Sequence, residues 1–259
     1  MSLSRIFVLA TNVFREVVRD RILYVIGFYA LLLVAAIRIL PEVAATTEDK
    51  IFLDFGLGAM SSLGLVVAVF VGTGLVSKEI EKRTVLVLIA KPISRVEIIT
   101  GKHLGLSAVL ALLVASMTVI YLAAMQIWNI PYPLGSILLA AFYLFLQLSL
   151  ITAIAVGLGV FTSSVLATLL SFGIYLMGNF SQDLVELGRL SDNPGFQRLT
   201  QGLYLVLPDL SRLDLKNQAV YSAELLPNTL TLIANAGYGL LYTVLVLTIS
   251  TFIFSRRQF

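Results

Sequence analysis

A chain of 259 residues with 58% hydrophobic residues, 13% charged residues and a mean hydropathy of +0.95 is not a water-soluble domain, in which about a quarter of the residues carry charge. A net charge of +3 is too small to mark a nucleic-acid-binding surface. The absence of cysteine excludes a disulfide scaffold, a thiolate metal site and a cysteine nucleophile. The composition is that of an all-α polytopic membrane protein, so its organisation is read from apolar runs and from where the few charges fall.

Residues 2–21 place Ile6, Leu9, Ala10, Val13 and Val17 on one helical face and Asn12, Arg15, Glu16 and Arg19 on the other, as in an amphipathic helix lying along a membrane surface. A cleaved signal peptide is the competing reading. Against it, the apolar run at 6–10 is short and is followed by Arg15, Arg19 and Arg21 rather than by a cleavage site. The first span is expected over 22–40, long enough at 1.5 Å per residue to cross a hydrocarbon core of roughly 30 Å, with Arg38 snorkelling to the interface at its far end. A polar turn over 41–50 leads to a second span at 57–76. There Gly64, Ala68 and Gly72 lie four apart on one face, open to close approach by another span of the chain or by a second subunit.

Residues 78–102 concentrate nine charges in this oily chain and must stay in water. Glu79, Glu81, Lys82 and Arg83 open the stretch, an apolar run over 84–90 follows, and Lys91-Pro92 breaks it. Ser94 followed by Glu97 is a capping box that starts a new helix. The next 80 residues, 103–182, contain no Asp, Glu, Lys or Arg, too many for two crossings. Three spans fit, at 104–127, 134–161 and 162–180, with breaks at Trp128-Asn129-Ile130-Pro131-Tyr132-Pro133 and near Thr162-Ser163-Ser164. Residues 181–229 recover polarity and are expected outside the lipid, with a helix capped by Asn193 and opened by Pro194. The sixth span covers 230–254 and is closed by Arg256 and Arg257.

With both termini and the 78–102 loop on one side, that side carries 12 basic and 5 acidic residues, and the other carries 6 and 10. The positive-inside rule makes the first side cytoplasmic, which six spans satisfy.

No enzyme constellation can be assembled. One histidine cannot make a zinc helix, no G-x-S-x-G elbow occurs, and Gly101-Lys102 fails the phosphate-loop pattern because Val96 stands five before Gly101 and His103 follows Lys102. His103 is expected to be solvated or headgroup-facing. The scarcity of carboxylates at membrane depth disfavours a proton relay. The polar residues left inside the spans are Gln126, Gln147, Asn179, and the Asn235, Tyr238, Tyr242 stripe, which serves either interhelical hydrogen bonding or the lining of a pathway.

Three patterns in the charged stretch are familiar together: Glu79-x-Glu81-Lys82-Arg83-Thr84, Lys91-Pro92-Ile93-Ser94-Arg95 and Gly101-Lys102-x-Leu104-Gly105. With Leu207-Pro208-Asp209-Leu210-Ser211-Arg212-x-Asp214-Leu215-Lys216-Asn217 and the terminal Phe254-Ser255-Arg256-Arg257-Gln258-Phe259, they resemble the ABC-2 type transporter permeases. The resemblance is strongest to the branch containing the copper-processing and gliding-motility permeases. It implies a single transmembrane domain over 1–259 in which 1–21 is a connecting helix and 78–102 a cytoplasmic coupling loop, with the coupling helix at about 81–90.

The coupling residues it implies are Glu79, Glu81, Lys82, Arg83, Thr84, Leu86, Leu88, Pro92, Ser94 and Arg95. It also implies two copies of a separate ATP-binding subunit, which hold the ATP and Mg²⁺; this chain itself would hold no cofactor or metal. A second permease chain, identical or not, would complete an exporter in a bacterial inner membrane. Many relatives have Gly where this chain has Arg83, and an acidic residue where it has Val87. Two other classes stay open on the residues alone: a non-transporting scaffold or sensor that recruits a cytoplasmic protein through the same loop, and an ion-coupled carrier.

Overall fold

The computed structural model describes residues 2–43, 48–81, 93–191, 193–221 and 226–256. The described residues form α1 (Leu3–Val17), a π-helical turn (Val18–Ile22), α2 (Leu23–Val43), α3 (Glu48–Glu81), α4 (Arg95–Ile127), α5 (Leu134–Phe161) and α6 (Ser164–Asn179). They continue with α7 (Ser181–Leu190), α8 (Pro194–Val206), a 3₁₀ turn (Leu210–Leu213), α9 (Lys216–Tyr221) and α10 (Thr229–Arg256). Five helices, α2, α3, α4, α5 and α10, are long and apolar enough to cross a bilayer, and α6 with α7 makes a sixth span if this pair, bent by 62°, is counted as one.

The breaks follow local chemistry. After α4, Asn129 takes a left-handed φ of 55°, a conformation Asn tolerates, and the prolines at 131 and 133 cannot continue a helix. At the uncharged break after α5, the Thr162 hydroxyl donates to the Leu158 carbonyl at 2.9 Å while its backbone turns extended, and Ser163, also extended, opens α6. Asn193 caps α8 as expected, its Oδ1 accepting from the Gly195 N–H at 2.9 Å.

The bundle is centred on α5. Of its span 72% is buried, against 17% for α2 and 22% for α10, because α3, α4, α6, α9 and α10 all pack on it. The small face of α3 meets α5: a Cβ at Gly64 would lie 2.5 Å from Leu148, and one at Gly72 would lie 3.0 Å from the Ala155 Cβ. That face is therefore used within the chain.

α6 is short. Its last residue, Asn179, accepts from the Gln147 side chain at 3.1 Å, so α6 ends beside the midpoint of α5, about 20 Å from where α5 begins. The gap beside the N-terminal half of α5 is filled from the segment expected outside the lipid. Leu210, Leu213, Leu215 and Ala219 are buried among α3, α5, α6 and α10, deeper than a surface cap would sit.

Candidate functional site

The starts of α1 and α4 and the C-terminal part of α3 are tied together. The capping box at the start of α4 forms as expected, with the Glu97 N–H donating to Ser94 Oγ at 3.2 Å and the Ser94 N–H to Glu97 Oε2 at 2.9 Å. Glu97 does more than cap. Its Oε1 accepts from the Ser2 N–H at 2.6 Å and Arg5 stands 4.0 Å from Oε2, so one buried carboxylate, 2% exposed, joins the start of α1 to the start of α4.

Below this tie, α1 lies against two glycines. A Cβ at Gly101 would come within 2.8 Å of the Leu9 Cβ, and one at Gly105 within 2.6 Å of the Ala10 carbonyl oxygen. The Gly101-x-x-x-Gly105 spacing puts both on one face of α4, and their missing side chains let the α1 backbone sit directly on it. The neighbouring residues hold other helices. Lys102, 4% exposed, donates from Nζ to the Leu75 carbonyl near the end of α3. His103 was expected to be solvated, but it is buried at 5% exposure and donates from Nε2 to the Ser149 carbonyl of α5 at 3.1 Å, with the Ser107 and Ser149 hydroxyls each at 3.4 Å. A polar ring at the start of a span costs less paired to a neighbouring helix than unpaired in hydrocarbon.

Of the coupling residues, Glu79 and Glu81 belong to the last turn of α3, and their side chains lie outside the described set. Lys82, Arg83, Thr84, Leu86, Leu88 and Pro92 lie outside the described residues altogether. Ser94 is used as the α4 cap. Arg95 places its guanidinium carbon 5.0 Å above the ring of Phe254 at the end of α10. Val76, Ile98, Ile99, Val156, Val160 and Phe254 pack into one small apolar cluster, so the ends of α3, α4, α5 and α10 meet at the two edges of the 82–92 segment.

A second constellation sits on the opposite side of the bundle. The irregular chain at 206–210 passes beside the α5 midpoint, and side chains from the spans supply partners to its backbone groups. Tyr242 donates from its hydroxyl to the Val206 carbonyl at 2.8 Å, the Asp209 N–H donates to the Tyr238 hydroxyl at 2.8 Å, and Gln147 donates to the Leu210 carbonyl at 3.3 Å. Asn235, one turn nearer the start of α10, is half-buried.

Asp209 is the hub. Its Oδ1 accepts from Ser181 at 3.0 Å and Ser211 at 2.6 Å, and its Oδ2 from Gln182 at 3.2 Å and Arg212 Nε at 3.0 Å. Burial alone would raise this carboxyl, yet the hydrogen bonds from Ser211, Gln182, Arg212 and Ser181 outweigh it and hold the pKa below the ordinary aspartate value. Arg212 also reaches the Tyr204 hydroxyl at 3.4 Å and lies 5.0 Å above the Tyr238 ring. Tyr204 and Asp209 together raise the pKa of its guanidinium further.

Sequence reasoning assigned Asp209 no role. The available signal was that apolar spans kept Gln147, Tyr238 and Tyr242 for some partner. Tyr242→Phe is expected to leave the Val206 carbonyl unsatisfied and to lower stability by about 1–2 kcal/mol, read as a reduced melting temperature in detergent.

These observations describe a helical unit of five long apolar helices and a bent sixth pair, in which α1, α3 and α4 are braced together and the 206–221 segment packs beside α5. Comparison with curated proteins finds no match. The family described as ABC-2 family transporter protein matches residues 7–259, nearly the whole chain. The chain belongs to the ABC-2 family of transporter proteins and is a membrane permease component of an ABC transporter.

Proposed function

We propose that the chain is the transmembrane subunit of an ATP-driven exporter in a bacterial inner membrane. Both termini are cytoplasmic, and the 78–102 loop docks into a separate ATP-binding subunit. The observation that carries the reading is the brace: Glu97 ties α1 to the start of α4, Gly101 and Gly105 seat α1 along it, and Lys102 fastens α4 to α3. A push on the segment between α3 and α4 then reaches three helices together instead of bending one.

Two permease chains and two ATP-binding subunits make the working unit. ATP and Mg²⁺ are held by the partner, whose closure drives the coupling helices. Motion of α1, α3 and α4 against α5 then opens the path to the outside, for which the segment around Asp209 has to move. Tyr238 and Tyr242 face that segment, so a pathway opening there would be lined by them.

The test is to tag the C-terminus, extract the complex from its native membrane in mild detergent, and assay for a co-purifying ATP-binding subunit. The expected result is a partner that hydrolyses ATP and is released by Arg83→Glu or by deletion of residues 85–89, with membrane insertion unchanged. Purification alone, or with a partner lacking a nucleotide site, would replace this reading with that of a scaffold. Protease accessibility of the C-terminal tag checks orientation: cleavage on intact cells would contradict it.

A further inference from the structure

A groove between α6 and α10 belongs to neither the brace nor the latch formed by the hydrogen bonds around Asp209. α6 and α10 each pack on α5 but hardly on one another, and between them lies a cavity of about 220 Å³. Its floor is the end of α5 at Gly157 and Phe161, its walls are Ile174 of α6 and the Val246, Ile249, Ile253 stripe of α10, and Pro208 helps to roof it. The polar groups in the lining are already used: Tyr242 donates to the Val206 carbonyl, and Ser250 to the Val246 carbonyl at 2.7 Å. The groove therefore offers hydrocarbon to its occupant.

Its length and its mouth identify that occupant. From Tyr242 to Ile253 the stripe runs about 16 Å along α10, half of the roughly 30 Å hydrocarbon thickness, which is the depth of one leaflet. The roof lies at the level where the re-entering segment meets the α5 midpoint. The lining runs on to Phe161 and Ile253, where α5 and α10 finish, the cytoplasmic end in the orientation above. There the next turn of the same stripe presents Arg256, exposed, with its guanidinium carbon 5.2 Å above the Phe252 ring. An apolar slot one leaflet deep with a cation at its interfacial end matches an acyl chain below a phosphate.

We propose that this groove holds one chain of an anionic phospholipid of the inner leaflet, with its phosphate at Arg256. A filled groove restores the dispersion contacts that an empty one would lack and abuts Val206–Pro208, so the lipid props the segment that carries Asp209. The proposal shares the orientation given above but does not depend on docking of an ATP-binding subunit.

The experiment is native mass spectrometry of the full chain in detergent with equal amounts of phosphatidylglycerol and phosphatidylcholine of matched chains. One phosphatidylglycerol should be retained per chain in preference to phosphatidylcholine. Arg256→Gln should cut that preference by about fivefold, the worth of one interfacial charge. Ile249→Trp should fill the groove and abolish retention of both lipids, whereas Leu240→Trp on the exposed side of α10 should not.

As a check that tolerates a wider range of folding outcomes, Phe161→Trp in a Trp128→Phe background places a single tryptophan on the groove floor. Its quenching by bromine-labelled phosphatidylglycerol should saturate at one lipid per chain. Equal retention of the two lipids, indifference to both Arg256→Gln and Ile249→Trp, or unsaturable quenching would overturn the proposal. Loss of a dimer in Ile249→Trp with lipid retention intact would also overturn it and give the groove to a second copy of the chain.

Discussion

Gly105→Leu should lift α1 off α4 while leaving the spans inserted. Even the first carbon of a side chain at Gly105 falls 2.6 Å from the Ala10 carbonyl oxygen and 2.8 Å from the Val13 Cβ, and the first of these contacts is backbone, which cannot rotate away. Because α1 is held on one face only, with Leu3, Phe7 and Val8 exposed on the other, displacement is the easiest relief. The natural chain contains no cysteine, so Val13→Cys gives a clean reporter: Val13 is 7% exposed on the buried face of α1. Its labelling by a water-soluble maleimide should be slow with Gly105 in place. In the Gly105→Leu background it should be faster by about 10- to 100-fold, matching an overpacking cost of about 1–3 kcal/mol. If α1 carries force from the coupling segment, the same variant should retain a bound ATP-binding subunit and lose transport. Unchanged labelling would mean that α1 can slide along α4 and that the brace is not rigid.

Asp209→Ala should destabilise the protein by about 3 kcal/mol. Four donors aimed at the carboxylate lose their acceptor, of which Ser181 lies buried at 2% exposure, while Arg212 is 41% exposed and partly recovers its loss from water. Asp209→Asn is also harmful at neutral pH, because the amide NH₂ replacing Oδ2 would face the donors of Gln182 and Arg212.

The pH dependence separates charge from shape. The folded pKa of Asp209 is depressed, so the carboxylate contributes stability that is fully present above its unfolded value of about 3.9 and is lost as pH falls through the lower, folded value. Chemical unfolding in detergent between neutral pH and pH 3 should therefore show an acid loss in the parent that is smaller in Asp209→Asn. Parallel acid limbs in the two proteins would show that Asp209 is not the ionised hub of the latch.

The relation between residues and structure differs from one part of the chain to another. The break at Trp128–Pro133, the Ser94–Glu97 capping box and the Asn193 cap were legible because each depends on groups within a few residues of one another. The uncharged break near Thr162 was placed by length alone, because 80 residues without a charge exceed two spans. The tie from Glu97 to Ser2 was not legible, since the partners stand 95 residues apart and a capping glutamate carries no sign of a second employment.

Composition and periodicity alone suffice for an all-α membrane protein and for the placing of its five long apolar helices. These follow from the bilayer, which sorts residues by polarity one at a time and so leaves its mark on a linear string. The three-dimensional packing settled which faces meet. It turned the Gly64, Ala68, Gly72 face of α3 toward α5, seated α1 on Gly101 and Gly105, buried His103 against Ser149, and drew the 207–221 segment in beside a shortened α6. Inside lipid, apolar residues are nearly equivalent to one another, so partner choice rests on small gaps and single hydrogen bonds. Those become visible only when helices distant in sequence are placed side by side.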